Sequence, residues 1–211
     1  MDMSTLYFLR HAESVANSKN LLAGRIDFPL SETGKADAKD LADDFSQRFT
    51  FDGLWCSPLL RAQQTAAPFL TACNTPIRFD PRLIEQHLGR FSGLSYDQVE
   101  ADPAYRTERS ARWKWIPEGG GESYEMIAKR VADFFMDLRQ CCQSEGLNNV
   151  LIVTHAVTLR LIHATLENIL PNYPQTIAGN GELWVAPLLP PGQACTIQTV
   201  KLGSGPRQHR A

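Results

Sequence analysis

Two adjacent basic residues, Arg10 and His11, follow a short apolar run near the start of this 211-residue sequence. Two further basic residues, Arg61 and His155, come shortly after other apolar runs. Guanidinium groups match phosphate oxygens with paired hydrogen bonds, and a neutral imidazole can attack phosphorus to form a covalent phosphoenzyme. Spreading the charge of the transferred group is the main catalytic task in such a reaction. These four side chains therefore predict phosphoryl-transfer chemistry, provided that the fold brings them together.

The sequence around Arg61 predicts an anion site at the start of a helix. Ser57 suits the N-cap position and Pro58 suits the first helical position. The free N–H groups at such a helix end attract anions, and a side chain one turn into the helix leans back toward that end. Because no acidic residue lies within four positions of Arg61, we expect its guanidinium to face a ligand.

A metal site is the alternative for the two histidines, because two imidazoles and a carboxylate could bind zinc. Arg10 and Arg61 would repel a divalent cation, and the sequence contains no HExxH or similar motif. A histidine taken alone is more often a hydrogen-bonded structural residue. Since His11 and His155 both fall at predicted strand ends, we favour a phosphate site without a metal ion.

The overall composition fits a globular protein of one domain, with 43% hydrophobic and 21% charged residues. A formal net charge of −2 argues against a general nucleic-acid or membrane binder. We find no signal peptide and no apolar stretch that would span a membrane. The five cysteines form no CxxC motif and are typical of reduced thiols. We therefore expect a cytoplasmic protein.

The apolar pattern predicts an α/β fold, a three-layer sandwich with a mostly parallel central sheet flanked by helices. Short apolar runs typical of buried strands occupy residues 6–9, 53–56 and 150–153. Helical periodicity occupies residues 38–49, 127–142 and 162–170. The later segments GELWVAP and CTIQTVKL predict two further strands, which could pair as a hairpin. In such sheets ligands bind beyond the carboxyl ends of the strands, where Arg10, His11 and His155 fall.

We expect one catalytic domain over residues 1–203 and a flexible polar tail over residues 204–211. A helical insertion at about 95–121 is expected to cap the site, and such lids often determine specificity. The insertion carries four basic residues interleaved with two tryptophans: Arg106, Arg109, Arg112, Trp113, Lys114 and Trp115. These side chains either meet a second anionic or flat group on the substrate or form a solvated amphipathic helix with two packing tryptophans.

Several motifs of this sequence, taken in order, resemble those of the histidine phosphatase superfamily. They are LRHAES followed by Asn17, then AGRIDFPLSETG, SPLLRAQQTA, LIEQHLGRFSG, GGES and VTHAVTLR, and they run from residue 6 to about residue 160. The branch that they resemble contains cofactor-dependent phosphoglycerate mutases, the fructose-2,6-bisphosphatase domain and small bacterial phosphatases such as α-ribazole phosphatase. Each motif alone is weak, but together the motifs are highly specific.

The resemblance implies catalytic roles for individual residues. His11 would be the nucleophile, and Glu85 would give a proton to the leaving oxygen and later take one from water. Four further side chains would surround the phosphoryl group: Arg10, Asn17, Arg61 and His155. From the bare sequence Glu13 is as good a candidate acid as Glu85, so only the resemblance selects Glu85.

The resemblance also implies which residues line the substrate side of the site. Gly24 and Arg25 match such positions in the family. Ala12 and Ala156 stand where the family often has glycine, which allows a close approach of the backbone. The backbone N–H of Ala156 could still bind phosphate, while its methyl group could narrow the pocket. These departures bear on rate and substrate rather than on the type of reaction.

The implied function is a phosphomonoester hydrolase that acts on a small phosphorylated metabolite through a phosphohistidine. The resemblance implies no cofactor, and family members are often homodimers. A cofactor-dependent phosphoglycerate mutase is the first alternative, although dedicated mutases are longer and carry a paired-arginine segment that this sequence lacks. A protein-phosphohistidine phosphatase is less well matched, since such members lack a sizeable insertion. An inactive relative that binds a phosphorylated ligand or a partner protein is the non-enzyme alternative, against which the filled catalytic positions argue.

Overall fold

A six-stranded sheet forms the centre of the molecule in the computed structural model, which describes residues 3–72, 75–203 and 205–206. In chain order the strands are β1 (Thr5–Arg10), β2 (Gly53–Cys56), β3 (Ile77–Phe79), β4 (Asn149–Thr154), β5 (Leu183–Pro187) and β6 (Gln198–Val200). Their order across the sheet is β3-β2-β4-β1-β5-β6. Strands β1 to β4 run parallel, whereas β5 is antiparallel to both of its neighbours.

Helices cover both faces of this sheet. The helices of the described residues are α1 (Val15–Ser18), α2 (Glu32–Arg48), α3 (Leu60–Ala72), α4 (Tyr96–Glu100), α5 (Arg109–Arg112), α6 (Tyr124–Glu145) and α7 (Ala156–Leu166), with short 3₁₀ helices at Pro81–Leu83 and Gly89–Phe91. Leu6 and Phe8 of β1 pack with α6 and α7, whereas Tyr7 and Leu9 pack with α2 and α3. Alternate residues of one strand thus enter two apolar cores. The predicted α/β sandwich with a mostly parallel sheet is confirmed.

The strand order explains why motifs that are distant in sequence meet in space. Strand β4 lies between β1 and β2, so the carboxyl ends of three parallel strands share one edge of the sheet. The N–H of His11 donates to the carbonyl oxygen of Thr154, and the N–H of Ser57 donates to that of Val153, both at 3.0 Å. These bonds extend the strand pairing by one residue and hold the three loops side by side.

The helix after β2 begins later than the sequence predicts. Helix α3 starts at Leu60, so Ser57 and Pro58 lie in the preceding turn and not at the helix start. The carboxylate of Asp27 accepts from the N–H of Leu60 at 2.6 Å and so satisfies one of the free N–H groups of the first turn. Since Asp27 lies 33 positions earlier in the chain, local capping rules do not identify it.

The segment 95–121 contains the two short helices α4 and α5. Its side chains Val99, Tyr105 and Trp115 pack with Leu22 and Phe91 in an apolar cluster that is separate from the two main cores. The segment therefore rests on the loops at the carboxyl edge of the sheet, and its Trp113 also packs against the core cluster that contains residues of α6 and α7.

Toward the C-terminus, the two predicted strands are confirmed and pair antiparallel as β5 and β6. The tail expected over residues 204–211 lies outside the described residues, except for Gly205 and Pro206. In the ranges that the structure describes, no helix combines the length and the apolar character needed to cross a membrane.

Candidate active site

The side chains of Arg10, His11, Arg61 and His155 converge at the carboxyl edge of the sheet. Each residue has at most 4% of its surface exposed, and the ring centroids of the two histidines are 5.1 Å apart. A cavity adjoins them, lined by both arginines, by His11 and by Glu85. The fold thus brings into one place the four basic residues that the sequence associates with phosphoryl transfer.

His11 is held as a neutral imidazole with an unprotonated Nε2. Its Nδ1 lies 2.7 Å from the carbonyl oxygen of Ala12, and because a carbonyl oxygen only accepts, Nδ1 carries the proton. Burial lowers the pKa of His11 well below its ordinary value, and the charges of Arg61 and Arg10 lower it further. The ring is therefore in the state that a nucleophile at phosphorus needs.

His155 precedes α7 and packs against His11. Its Nε2 lies 2.7 Å from the hydroxyl oxygen of Ser57, so Ser57 positions this ring instead of capping α3. Burial holds the pKa of His155 well below its ordinary value, and the charge of Arg61 acts in the same direction. Among the described residues, no group of three His, Cys, Asp or Glu side chains is placed to hold a metal ion.

Backbone carbonyl groups anchor both guanidinium groups. Arg10 donates to the carbonyl oxygen of Ala178 at 2.5 Å, and Arg61 donates to those of Ile26 and Gly24 at 3.0 and 2.8 Å. The Nε of each arginine is buried without a hydrogen-bond partner in the described part of the chain. Burial lowers the pKa of both groups, that of Arg61 to about 10. A guanidinium stays protonated in proteins, so both groups carry a positive charge. Because an unpaired buried charge is costly, this arrangement favours an anion in the cavity.

Glu85 lines the same cavity and lies at the first turn of α7. Its carboxylate accepts from the N–H groups of Gln86, Val157 and Thr158 at 2.9, 3.3 and 3.4 Å, so it occupies the positive end of that helix. A carboxyl group in one cavity with a nucleophilic imidazole can exchange a proton with a leaving group or with water.

Of the four further residues expected to contact the substrate or its phosphoryl group, Asn17, Gly24 and Ala156 line the cavity. The Oδ1 of Asn17 accepts from the N–H and the hydroxyl of Ser14 at 3.0 and 2.7 Å, which fixes the amide plane. Gly24 has a φ of +50°, a conformation that suits glycine. Ala156 is the first residue of α7, where backbone N–H groups lack partners within the helix.

Arg25, the fourth residue expected there, is not among the residues that line the cavity. Its Nε donates to the carbonyl oxygen of Glu85 at 3.1 Å, and its Nη2 donates to the carboxylate of Glu122 at 3.1 Å. Glu122 also pairs with Arg130 at 2.9 Å, and its carbonyl oxygen accepts from the side chain of Gln86 at 2.8 Å. Arg25 and Glu122 therefore fix the loop that carries Glu85.

Sequence reasoning missed two side chains that hold the backbone around His11. The amide of Asn180 donates to the carbonyl oxygen of His11 at 2.9 Å, and the hydroxyl of Thr65 accepts from the N–H of Ala12 at 3.0 Å. Thr65 could have been found, since it lies one helical turn after Arg61. No sequence pattern singles out Asn180, which lies 169 positions from His11.

The two neutral buried histidines predict that stability falls at acid pH. In the unfolded chain a histidine gains its proton as the pH falls through about 6.5, whereas folded His11 and His155 resist protonation. The unfolded state then binds more protons, so the free energy of unfolding should fall by about 1 kcal/mol per histidine between pH 7.5 and 5.5. Denaturant titrations at both pH values should show that the free energy of unfolding falls by about 1 kcal/mol less in His11→Asn than in the wild type. Equal losses in the two proteins would contradict a neutral, buried His11.

Comparisons with known proteins agree with this geometry. The family model of the histidine phosphatase superfamily (branch 1) matches residues 6–188. A 2,3-bisphosphoglycerate-dependent phosphoglycerate mutase of Nitrobacter winogradskyi is 33% identical over 81% of this chain and 84% of its own length. Phosphoserine phosphatase 1 of Hydrogenobacter thermophilus is 33% identical over 78% of this chain and 76% of its own length. The crystal structure of the α-ribazole phosphatase from Shigella flexneri is 25% identical and superposes with a TM-score of 0.75, covering 98% of this chain and 100% of that one. This chain therefore belongs to the histidine phosphatase superfamily.

Proposed function

We propose that this chain hydrolyses phosphate monoesters of small molecules through a phosphohistidine formed on His11. The observation that carries the proposal is the neutral imidazole of His11 beside two buried guanidinium groups, each with an Nε that has no partner among the described residues. A phosphoryl group would supply the missing negative charge and accept from these donors. Relatives that act as phosphatases, such as the Hydrogenobacter enzyme, support hydrolysis.

In the proposed first step, Nε2 of His11 forms a bond to phosphorus while the bond between phosphorus and the ester oxygen breaks. Protonated Glu85 gives its proton to that oxygen, so the leaving group departs as an alcohol. Arg10, Arg61 and His155 hold the phosphoryl oxygens and spread the charge of the transferred group.

In the proposed second step, a water molecule attacks phosphorus and the bond between phosphorus and Nε2 breaks. The carboxylate of Glu85 takes a proton from that water, inorganic phosphate leaves, and His11 returns to its neutral state. The amide of Asn17 and the N–H of Ala156 are further donors to the phosphoryl group in this cavity. Gly24 acts through its carbonyl oxygen, which holds Arg61, and Arg25 acts by fixing the loop of Glu85.

The proposal assigns the reaction to one catalytic domain, residues 1–203, with the segment 95–121 as its cap. Tyr96, Tyr105 and Arg112 of that segment line the cavity, which supports the assignment. We also propose a cytoplasmic location, because the four cysteines that the structure describes are free thiols, as expected in a reducing compartment. A homodimer is the assembly that we propose from the family resemblance.

Phosphoglycerate mutase activity is the second candidate, since the Nitrobacter relative has that function. A mutase must return the phosphoryl group from histidine to the bound product before water attacks it. Dedicated mutases carry paired arginines in their insertion, and the sequence of this chain contains no two adjacent arginines. We therefore favour hydrolysis.

Two assays on one enzyme preparation separate the two candidates. Release of inorganic phosphate is measured on a panel of sugar phosphates, phosphoserine, phosphoglycerates and nucleotides. Phosphorus NMR follows the interconversion of 3- and 2-phosphoglycerate in the presence of 2,3-bisphosphoglycerate. We expect phosphate release to exceed interconversion. Interconversion faster than release would establish a mutase, and no turnover in either assay would favour a binding protein.

A further inference from the structure

A second cavity adjoins the catalytic one, and the two share the side chains Tyr96, Tyr105 and Arg112. The second cavity is also lined by Arg160 of α7. Because Arg112 belongs to the walls of both cavities, a substrate with its phosphoryl group at His11 can extend into the second one. The side chains that line the second cavity would then contact the leaving-group part of the substrate.

Arg112 and Arg160 meet at the buried hydroxyl group of Tyr124. Arg112 donates to this oxygen at 3.1 Å and Arg160 at 3.0 Å, so the two donating nitrogens lie within about 6 Å of each other. Arg112 also donates to the hydroxyl of Tyr105 at 2.9 Å, and Arg160 donates to the carbonyl oxygen of Gln175 at 2.8 Å. Neutral acceptors thus fix two positive charges side by side.

No carboxylate accepts from either guanidinium among the described residues, since all of their acceptors are hydroxyl or carbonyl oxygens. Glu100 is the acidic residue in the described wall of the second cavity, and it is exposed, so solvent screens its charge. A guanidinium has five N–H donors. Arg112 uses three in these bonds and Arg160 uses two, so both retain donors for a ligand.

Tyr96 relates the arginine pair to the phosphoryl site. It lines both cavities and lies within the electrostatic influence of Arg10 and of Arg112, whose charges oppose the rise that burial causes in its pKa. Its side chain is thus part of the wall that the two cavities share. A leaving group that extends along this wall can reach the arginine pair.

We propose that Arg112 and Arg160 bind a second oxyanion, a carboxylate or a phosphate, on the leaving-group part of the substrate. The inference rests on the proposed phosphatase function and narrows it to small phosphate monoesters that carry an acidic group. An oxyanion between the two guanidinium groups removes their mutual repulsion and forms charge-assisted hydrogen bonds with their remaining donors.

Matched three-carbon phosphate esters test this proposal. Propyl phosphate has no second charge, 3-phosphooxypropanoate has a carboxylate, propane-1,3-diol bisphosphate has a second phosphate, and 3-aminopropyl phosphate has a cation. We expect kcat/KM to be at least about tenfold higher for one or both acidic esters than for propyl phosphate, and lowest for the amine. The carboxylate and bisphosphate arms show which oxyanion the pair prefers.

Arg112→Gln should reduce the preference for the acidic ester, expressed as its kcat/KM divided by that of propyl phosphate, by about tenfold. Lys114→Gln is the matched control, because Lys114 is an exposed cation of the same segment that lines neither cavity. The preference of this control should equal that of the wild type, which separates a local contact from a general loss of charge.

Equal kcat/KM values of the wild type for propyl phosphate and both acidic esters would overturn the inference and leave the phosphatase function intact. This comparison needs no variant, so it holds even if Arg112→Gln fails to fold. A preference that Arg112→Gln leaves unchanged would also overturn the inference. Absence of phosphate release from all esters and from the panel would instead overturn the proposed function, and the inference with it.

Discussion

Replacing His11 by asparagine is expected to lower kcat/KM for phosphate release by at least about 10³-fold. Asparagine can keep a donor to the carbonyl oxygen of Ala12, which accepts from Nδ1 of His11, but it has no nitrogen that can attack phosphorus. The backbone anchors of Arg10 and Arg61 do not involve His11, so the phosphate-binding groups should stay in place. The initial rate on the best substrate of the panel measures the effect.

The covalent intermediate gives a second measurement on the same variant. Rapid quenching of the wild type with radiolabelled substrate should trap protein-bound phosphate that is stable in base and labile in acid, as expected for phosphohistidine, and His11→Asn should trap none. His163→Asn is the matched control, because this α7 histidine pairs with Glu167, the residue that follows the helix, at 3.0 Å and does not line the catalytic cavity. Label on His11→Asn, or a rate within about tenfold of the wild type, would show that another group is the nucleophile.

The position of the chemistry at strand ends could be predicted because it depends on local patterns. The apolar runs before Arg10 and His155 are buried on both faces and pair in parallel. Parallel strands place their carboxyl ends along one edge, so residues directly after them become neighbours. What the structure adds is the strand order, with β4 next to β1, which explains how close the residues after these two strands come.

Contacts between distant segments could not be predicted in this way. Asp27 accepts from the N–H of Leu60, and α3 therefore begins two residues after Pro58. Asn180 reaches the backbone of His11 from the loop before β5. These partners meet only once the sheet has formed, and local propensity carries no information about them.

The sequence also did not show which arginines face the cavities and which hold other parts of the chain, because a long side chain can reach different partners from neighbouring positions. Arg25 was expected on the substrate side, yet it bonds to Glu122 and to the backbone of Glu85. In the segment 95–121, Arg112 lines both cavities whereas Arg106 is exposed. The side chain of Arg109 lies outside the described residues.

Replacing Glu85 by glutamine should have the second large effect, with a size that depends on the leaving group. For an alkyl phosphate, kcat/KM should fall by about 10²-fold or more, because an alkoxide leaves poorly without a proton. For p-nitrophenyl phosphate it should fall by less than about tenfold, since p-nitrophenolate departs without one. Because kcat/KM reports the steps up to formation of the phosphoenzyme, the comparison isolates the acid in the first step.

Glu13→Gln is the matched control, because the sequence alone does not distinguish Glu13 from Glu85 as the acid. The carboxylate of Glu13 accepts from the hydroxyl of Ser31 at 2.5 Å, at the start of α2, so its loss should change kcat/KM for both esters by the same factor. The proton donor would be a residue other than Glu85 if the fall in kcat/KM depended on the leaving group in Glu13→Gln. The same conclusion would follow if the fall in Glu85→Gln were equal for both esters. Glutamine at position 85 can keep the oxygen that accepts from the N–H groups of Gln86 and Thr158, and it loses only the acceptor of the 3.3 Å bond from Val157. A selective loss on the alkyl ester would therefore reflect the missing proton and not a displaced side chain.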